Sequence, residues 1–484
     1  MSKRASNRPS ITVNFFMNFL LNISSVLFPL ITFPYASRVL GPAGTGAVAM
    51  GTSYVSYFTM AAMLGVPVYG VRACASVRDD PVRLSMTVQE LLILNLIMGA
   101  VAYGAFFLSL ILVPSLASEQ TMYIICSAAI FLNIIGMNWV FQALEQLTYI
   151  SMAGMFFKAL GLVLLFLLVH SAHDVNLYAA VTVISSFGSG LINFWYLRKL
   201  VPFKKRGKWN FRQHFRPMLR FFAMAVASSV YTSLDVVMLG FMKDNTAVGY
   251  YNASVKVKTI LVTMTTSLGT VLLPRLSFYA RHHQMKGFWK LVSKAFSFVL
   301  LFSIPCCLFF SIMAKDVILL LSGAEFLPAI PAMIVLMPTI LLIGLTNITG
   351  MQILVPQNEE KTVLYSVIGG ALVDFLLNLA LISLLGSTGA AIGTLAAETA
   401  VLIIQFARLR RPLRRLSRRI EWGPLLWGML FASPVLLISS SLLNAGPFWR
   451  LAVCAILFFG VYGVVLLLRR ESILMQLLRK LIAR

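Results

Sequence analysis

Fourteen apolar runs of about 20 residues follow one another along the chain, at 11–33, 45–64, 86–113, 120–143, 151–170, 176–197, 218–241, 250–273, 291–313, 329–350, 363–385, 388–407, 423–442 and 450–468. A run of roughly that length crosses a bilayer as a helix, because a helix satisfies its own backbone hydrogen bonds where no water is present to do so. Together the runs occupy most of the 484 residues and leave no room for a sizeable soluble domain. Composition agrees, since 59% of the residues are hydrophobic and only 12% charged, against roughly 25% charged in soluble proteins. These features predict an all-α integral membrane protein of about fourteen transmembrane helices.

A formal charge of +24 would suggest nucleic acid if it were spread over a soluble surface. Its distribution points elsewhere. With the N-terminus placed in the cytoplasm, 33 of the 40 Lys and Arg fall in alternate connections and at the two termini. The opposite side receives only Arg38, Lys243, Lys315 and Arg450, while Lys158, Lys256 and Lys258 lie inside runs. The positive-inside rule then predicts cytoplasmic N- and C-termini and an even number of spans. On this topology the Arg198–Arg220 and Arg408–Arg419 clusters read as anchors on anionic phospholipid, and no nucleic-acid partner is expected. The first run is longer than a signal-peptide core, so it is expected to remain as the first helix. Outward connections are short, the longest running from about Ala314 to Pro328, which leaves no place for an extramembrane active site. Nothing resembles a catalytic motif, and the five cysteines have no paired spacing.

A weak internal repeat organises the runs. Arg38-Val39-Leu40-Gly41 is echoed by Val237-Met238-Leu239-Gly240, Ala47-Val48-Ala49 by Ala247-Val248-Gly249, and Leu64-Gly65 by Leu268-Gly269. This spacing predicts two parallel six-helix lobes, residues 1–200 and 201–421, with residues 422–484 appended as two more helices and a basic tail. Two such lobes facing a midplane cavity are a physical basis for alternating access.

Polar side chains inside the runs mark the candidate sites. Asn14, Asn18 and Asn22 share a sector of about 80° on the first helix. They read either as hydrogen-bonding glue between helices or as the wall of a cavity that accepts sugar. Lys256 and Lys258 point about 200° apart on one helix, so they cannot both address one ligand. Lys256 lies in line with Asn252, Thr259, Thr263 and Ser267 and is the better cavity cation for a diphosphate, with Lys258 the weaker candidate. Lys158 either snorkels to the cytoplasmic surface or binds ligand. Asp235, Asp374 and Glu398 are acids within apolar runs, each costing roughly 2.5 to 3.5 kcal/mol if unpaired. Asp374 shares a face with Asn378, and Glu398 with Thr394. Carboxylate, amide and hydroxyl oxygens of this kind suit sodium, or a protonatable coupling site, or else a purely structural pairing.

The motifs Tyr35-Ala36-Ser37-Arg38-Val39-Leu40-Gly41-Pro42, Leu64-Gly65-Val66-Pro67-Val68-Tyr69-Gly70-Val71-Arg72, Val248-Gly249-Tyr250-Tyr251-Asn252-Ala253 and Gly389-Ala390-Ala391-Ile392-Gly393 resemble the Wzx-like polysaccharide repeat-unit flippases. The stretch Ser267-Leu268-Gly269-Thr270 through Pro274-Arg275 continues the likeness, which covers most of the chain. These flippases belong to the multidrug, oligosaccharidyl-lipid and polysaccharide exporter superfamily, which also holds the lipid II flippases. The resemblance implies a V-shaped pair of lobes around a cationic cavity that passes an undecaprenyl-pyrophosphate-linked oligosaccharide between leaflets of a bacterial inner membrane. It implies drive by membrane potential or by a sodium or proton gradient, no organic cofactor, and work beside a polysaccharide polymerase and chain-length machinery. A sodium site known in lipid II flippases is matched by Asp235, Asp374, Asn378, Ala390 and Thr394, with the Asp and Asn of the 374–378 pair in swapped order. Arginines buried in the first two helices of lipid II flippases have no counterpart here, which favours a different lipid-linked sugar. Alternatives within the superfamily are a lipid II flippase and an ion-coupled multidrug exporter.

Overall fold

The computed structural model describes residues 11–201, 209–417, 421–472 and 474–475, with the side chains of some helical residues in these ranges also outside the description. Every regular element among the described residues is helical. The principal helices are α1 (Ile11–Met63), α2 (Val66–Ser76), α3 (Pro81–Leu112), α4 (Gln120–Gly136), α5 (Asn138–Ala143), α6 (Leu147–Leu168), α7 (Val175–Phe187), α8 (Ser189–Leu200) and α9 (Arg212–Met242). They continue with α10 (Asn245–Arg281), α11 (Met285–Ile312), α12 (Ala314–Leu321), α13 (Ile330–Leu336), α14 (Thr339–Asn347), α15 (Glu360–Leu385), α16 (Ser387–Arg408), α17 (Arg410–Ser417), α18 (Trp422–Leu442) and α19 (Pro447–Leu468).

Among the described residues eleven helical stretches are long and apolar enough to cross a membrane, or twelve if Asn245–Ser267 and Leu272–Arg281 form one bent span. The chain is a multi-pass membrane protein. The sequence count of about fourteen differs for identifiable reasons. The first two apolar runs count there as one stretch, although a non-helical kink at Gly41 parts them, with a φ of 66° that glycine adopts freely, between Pro34 and Pro42. The segment Ser233–Met242 is the continuously described apolar end of the longer α9, and Ala324–Leu336 is a shorter apolar stretch. The expected outward loop at 314–328 is largely helical: α12 and a 3₁₀ turn at Ala324–Ala329 occupy it. Large side chains such as Ile111, Leu112, Leu384 and Leu468 stand exposed on the helices, as lipid-facing positions do.

Two compact units divide the chain, Met1–Gly249 and Tyr250–Arg484, so that α9 belongs with the first. Local chemistry sets the breaks in the first unit. Asp80 caps α3 by accepting from the N–H groups of Val82 (2.9 Å) and Arg83 (3.1 Å), with Pro81 at the first helical position where its missing N–H is harmless. Leu64 and Gly65 at positive φ separate α1 from α2. Gly65 is required twice over, because a Cβ there would also meet the Met218 carbonyl oxygen of α9 at 2.6 Å. Ala36 and Leu40 of α1 pack with Leu165, Val169 and Val181 in a buried cluster, and the Tyr35 hydroxyl donates to the Val169 carbonyl at 2.7 Å.

In the second unit α15 and α16 pack along their lengths, and α18 pairs with α19. The span Thr339–Gln357 changes from α-helix to a π-helical turn at Ile348–Leu354 and then a 3₁₀ turn. Thr349 in that π turn donates to the Gln405 side-chain oxygen, and the Gln405 amide donates to Ser366 Oγ at 3.0 Å. A buried amide that reaches two helices in this way ties the irregular turn to α15 and α16. Arg450 at the start of α19 lies 3.4 Å from the buried Asp316 of α12, which gives this acid a cationic partner.

Candidate functional site

The second unit gathers most of the predicted ion-coupling residues. Asp374 and Asn378, one turn apart on α15, are both buried. Each turns a side-chain oxygen toward Gly393 of α16: a Cβ at Gly393 would lie 3.0 Å from Asp374 Oδ1 and closer still to Asn378 Oδ1. The absence of a side chain at 393 is therefore what lets these oxygens reach the α16 backbone. One turn earlier, Gly389 meets the backbone of Leu381, so the Gly389–Gly393 spacing sets the close approach of the two helices. Thr394 donates to the Ala390 carbonyl at 3.1 Å and shares a 2.8 Å hydrogen bond with the Tyr251 hydroxyl of α10. Glu398, also buried, follows Thr394 by one turn on α16.

Among the described residues no three His, Cys, Asp or Glu side chains cluster as a metal site. The donor set at Asp374, Asn378 and Thr394 is instead carboxylate, amide, hydroxyl and carbonyl oxygen, the chemistry of a weakly held hard cation or a proton. Asp235 is buried on α9 in the first unit, and the side chains of its sequence neighbours Ser228, Tyr231 and Thr232 lie outside the described residues. Tyr251 was not among the residues singled out from sequence; its place in the Tyr-Tyr-Asn motif was the available signal.

The predicted substrate-binding cations are dispersed. Lys158 of α6, half-buried, donates from Nζ to Ser25 Oγ and to Ser24 Oγ at 3.4 Å, so its ammonium is held by hydroxyls of α1. Lys256 and Lys258 are both partly exposed on α10. The Lys256 side of that helix carries the exposed Thr259, Thr263 and Ser267, whereas the Lys258 side carries the buried Ser254, Leu261 and Thr265. Thr259 and Thr263 each donate to the carbonyl four residues earlier, at 2.8 Å, which leaves their oxygens able to accept from a ligand. The side chains of Asn14, Asn18 and Asn22 lie outside the described residues.

Two cavities of the first unit bear on the site. One, of about 480 Å³, has a mainly apolar wall in which a few polar side chains are interspersed, Thr52, Ser56 and Thr59 of α1, Asn133 of α4, and Thr182 and Ser186 of α7. Mixed hydroxyl and apolar walls suit a sugar, whose faces are apolar and whose edges hydrogen-bond.

The other, of about 670 Å³, has Arg72 of α2 and Arg220 of α9 in its wall. Beside it lies a hydrogen-bonded hub that sequence reasoning missed. Glu90 of α3 is buried, and accepts from the Asn210 N–H at 2.7 Å and the Gln213 amide at 3.2 Å. His214 Nε2 lies 2.7 Å from the same carboxylate, and its Nδ1 lies 2.8 Å from the Tyr69 hydroxyl of α2. Glu90 is a fourth acid in an apolar run, and that was the signal from which the hub could have been found.

Comparison with known proteins gives a consistent picture. The sequence profile of a family described as "Polysaccharide biosynthesis protein" matches residues 11–280. A protein of Escherichia coli (strain K12) whose name assigns it to O-antigen transport is 23% identical over 403 residues, covering 80% of this chain and 94% of its own. A protein of Shigella dysenteriae with the same naming is 26% identical over 407 residues, covering 81% and 98%. Among solved structures, the lipid II flippase MurJ in an inward closed conformation superposes with a TM-score of 0.72 at 15% identity, over 92% of this chain and 98% of MurJ. An inward-facing MATE multidrug transporter gives a TM-score of 0.61 at 14% identity, over 81% and 96%. At these identities the structural likeness establishes a shared fold.

Proposed function

The chain belongs to the polysaccharide biosynthesis protein family, and from that premise we propose that it is a flippase for an undecaprenyl-pyrophosphate-linked oligosaccharide repeat unit. It carries the unit from the cytoplasmic to the outer leaflet of a bacterial inner membrane by alternating access, with both termini in the cytoplasm. The family match over residues 11–280 carries this reading. Support comes from the polar side chains in the wall of the about 480 Å³ cavity of the first unit, which offer hydrogen bonds to a glycan, and from the cationic side chains Lys158, Lys256 and Lys258, which can attract the diphosphate as point charges. The oxygen cluster at Asp374, Asn378, Ala390 and Thr394 serves as the coupling site, taking up a sodium ion or a proton on one side of the membrane and releasing it on the other. A polysaccharide polymerase and its chain-length machinery would receive the product.

Removing the gene should make lipid-linked oligosaccharide accumulate on the cytoplasmic side, measured by mass spectrometry of extracted lipid intermediates, and should deplete surface polysaccharide. Unchanged intermediates and polysaccharide would refute the proposal. Heightened drug susceptibility in the same strain, with intermediates unchanged, would favour multidrug export instead.

A further inference from the structure

Helix α15 buries one residue per turn, and the buried series Ser366, Gly370, Asp374 and Asn378 is polar or bare until Ile382 is reached. Its large apolar side chains, such as Leu372, Leu376 and Leu384, are the exposed ones. Helix α16, packed along it, buries Glu398 and, two turns further on, Gln405. Packing alone asks for none of this, because small apolar residues let two membrane helices approach as closely, and each buried polar group must find a partner in a medium without water. A long polar face turned away from lipid is the kind of lining that marks an ion pathway.

The seam continues beyond the oxygen cluster. From Asp374 it runs about 12 Å along α15 to Ser366, at 1.5 Å per residue. There the Gln405 amide donates to Ser366 Oγ at 3.0 Å, Thr349 donates to Gln405 Oε1, and Ser366 donates to the Val363 carbonyl at 2.8 Å. One amide thus forms a crossbar between α15, α16 and the π turn. A Cβ on Gly350 of that turn would meet the Gln405 side chain at 3.2 Å, so the turn lies directly against the crossbar. Three residues past Gln405, Arg408 pairs with Glu359 just before α15, and both are open to solvent. The crossbar stands between the buried acids and this exposed end. Its chemistry suits one class of traveller. An amide carries no titratable proton and interrupts a proton relay, whereas the side-chain oxygens of Gln405, Ser366 and Thr349 can serve a hard cation in turn. Short π turns inside helices are frequent at functional sites.

We propose that the seam between α15 and α16 is the path by which a sodium ion moves between the Asp374 cluster and the end of the helices that carries Glu359 and Arg408, and that Gln405 is its gate. The inference rests on the coupling role proposed for Asp374 and adds to it a route and a barrier. Opening requires that the Gln405 side chain swing off Ser366 and Thr349, which turns three oxygens of the crossbar into momentary ligands in place of water. The ion meets Gln405 in transit and not at rest. A group met only in passage changes the rates of entry and release by the same factor and leaves the affinity as it was.

The test uses the full chain in phosphatidylcholine nanodiscs and sodium-23 NMR, in which line broadening that saturates with sodium gives the affinity and its field dependence gives the exchange rate. Wild type should bind saturably, and Asp374→Asn should abolish binding, which reports on the coupling site alone. Gln405→Ala removes the crossbar and should speed exchange by about tenfold, with the affinity within about twofold of wild type. Gln405→Leu loses the same hydrogen bonds but leaves an apolar plug without oxygens, and should slow exchange by about tenfold. Opposite signs from the same lost bonds are an outcome that a purely structural role for Gln405 would not give. Ser366→Ala frees the Gln405 amide by a smaller change and should speed exchange by about threefold, which keeps the test available if Gln405→Ala does not fold. Unchanged rates in the Gln405 and Ser366 variants, with binding intact, would overturn the path and leave the coupling site standing. A fall in affinity that accounts for the whole change in rate would place Gln405 in the resting site and overturn its role as gate. Absence of saturable binding in wild type would overturn the sodium site and the path together.

Discussion

Glu90 in the first unit and Asp374 in the second are both carboxylates buried in apolar helices, yet their neighbours differ in kind. Glu90 accepts from a backbone N–H, an amide and an imidazole, donors that come from the segment leading into α9. Asp374 shares its surroundings with the side-chain oxygen of Asn378 beside Gly393, and one residue further along α16 lies the Thr394 hydroxyl. A carboxylate among donors fixes the elements that supply them, so Glu90 ties α3 to the start of α9. Two side-chain oxygens held side by side against a bare stretch of helix backbone are chemistry that a proton or a hard cation can use, which is the coupling role proposed for Asp374. Two equally buried acids thus carry different proposed roles, one tying helices together and the other coupling transport to an ion.

The largest expected effect follows from the second purpose. Asp374→Asn keeps the size and one acceptor oxygen but removes the charge, so ion-stimulated transport in vesicles should fall by about tenfold or more while protein abundance stays level. Sodium and proton dependence identical to wild type would remove Asp374 from coupling and collapse the contrast with Glu90.

Glu90 should behave in the opposite way. Glu90→Ala leaves the donors of Asn210, Gln213 and His214 without their shared acceptor, a loss of about 3 kcal/mol for a buried hydrogen-bonded acid. The purified protein should melt several degrees lower, roughly 2–4 °C per kcal/mol being usual for larger domains. Glu90→Gln, which keeps an acceptor oxygen, should recover part of the loss. Equal melting of all three proteins would show that the hub is not what holds α9 to α3.

The helical membrane fold was legible because a 20-residue apolar run has one stable solution in lipid, and fourteen of them leave little else to decide. Boundaries were less legible. The kink at Gly41 does fall between the first two apolar runs, whereas the connection at 314–328 reads as a loop although α12 forms there around the buried Asp316. On the site, the shared face of Asp374 and Asn378 followed from helical spacing, since residues four apart share a face, whereas Ala390 and Thr394 came from the family resemblance. Glu90 and His214 could not be paired that way: 124 residues separate them, and only tertiary packing brings them to 2.7 Å. Arg72 was seen only as part of a family pattern.

A third carboxylate sharpens the comparison by holding donor chemistry constant and changing only burial. Asp174, in the turn before α7, accepts from the N–H groups of His170 (3.0 Å) and Ser171 (2.8 Å) and from the Ser171 hydroxyl (3.0 Å). These bonds hold its carboxyl below the usual carboxylate range, the backbone bond from His170 contributing most. Like Glu90 it is surrounded by donors, but it stands in solvent, where water replaces any donor or acceptor that is lost. Asp174→Ala should therefore shift the melting temperature by about 1 °C or less, far below the effect of Glu90→Ala. Because folding lowers its pKa, whatever it contributes is full above the ordinary value of 3.8 and disappears as pH falls through the lower folded value. Amide exchange at residues 170–174 should be faster in Asp174→Ala than in wild type at about pH 6, with the difference shrinking toward about pH 3. A melting shift as large as that of Glu90→Ala would mean that the number of donors, and not exclusion of water, sets the worth of such a carboxylate.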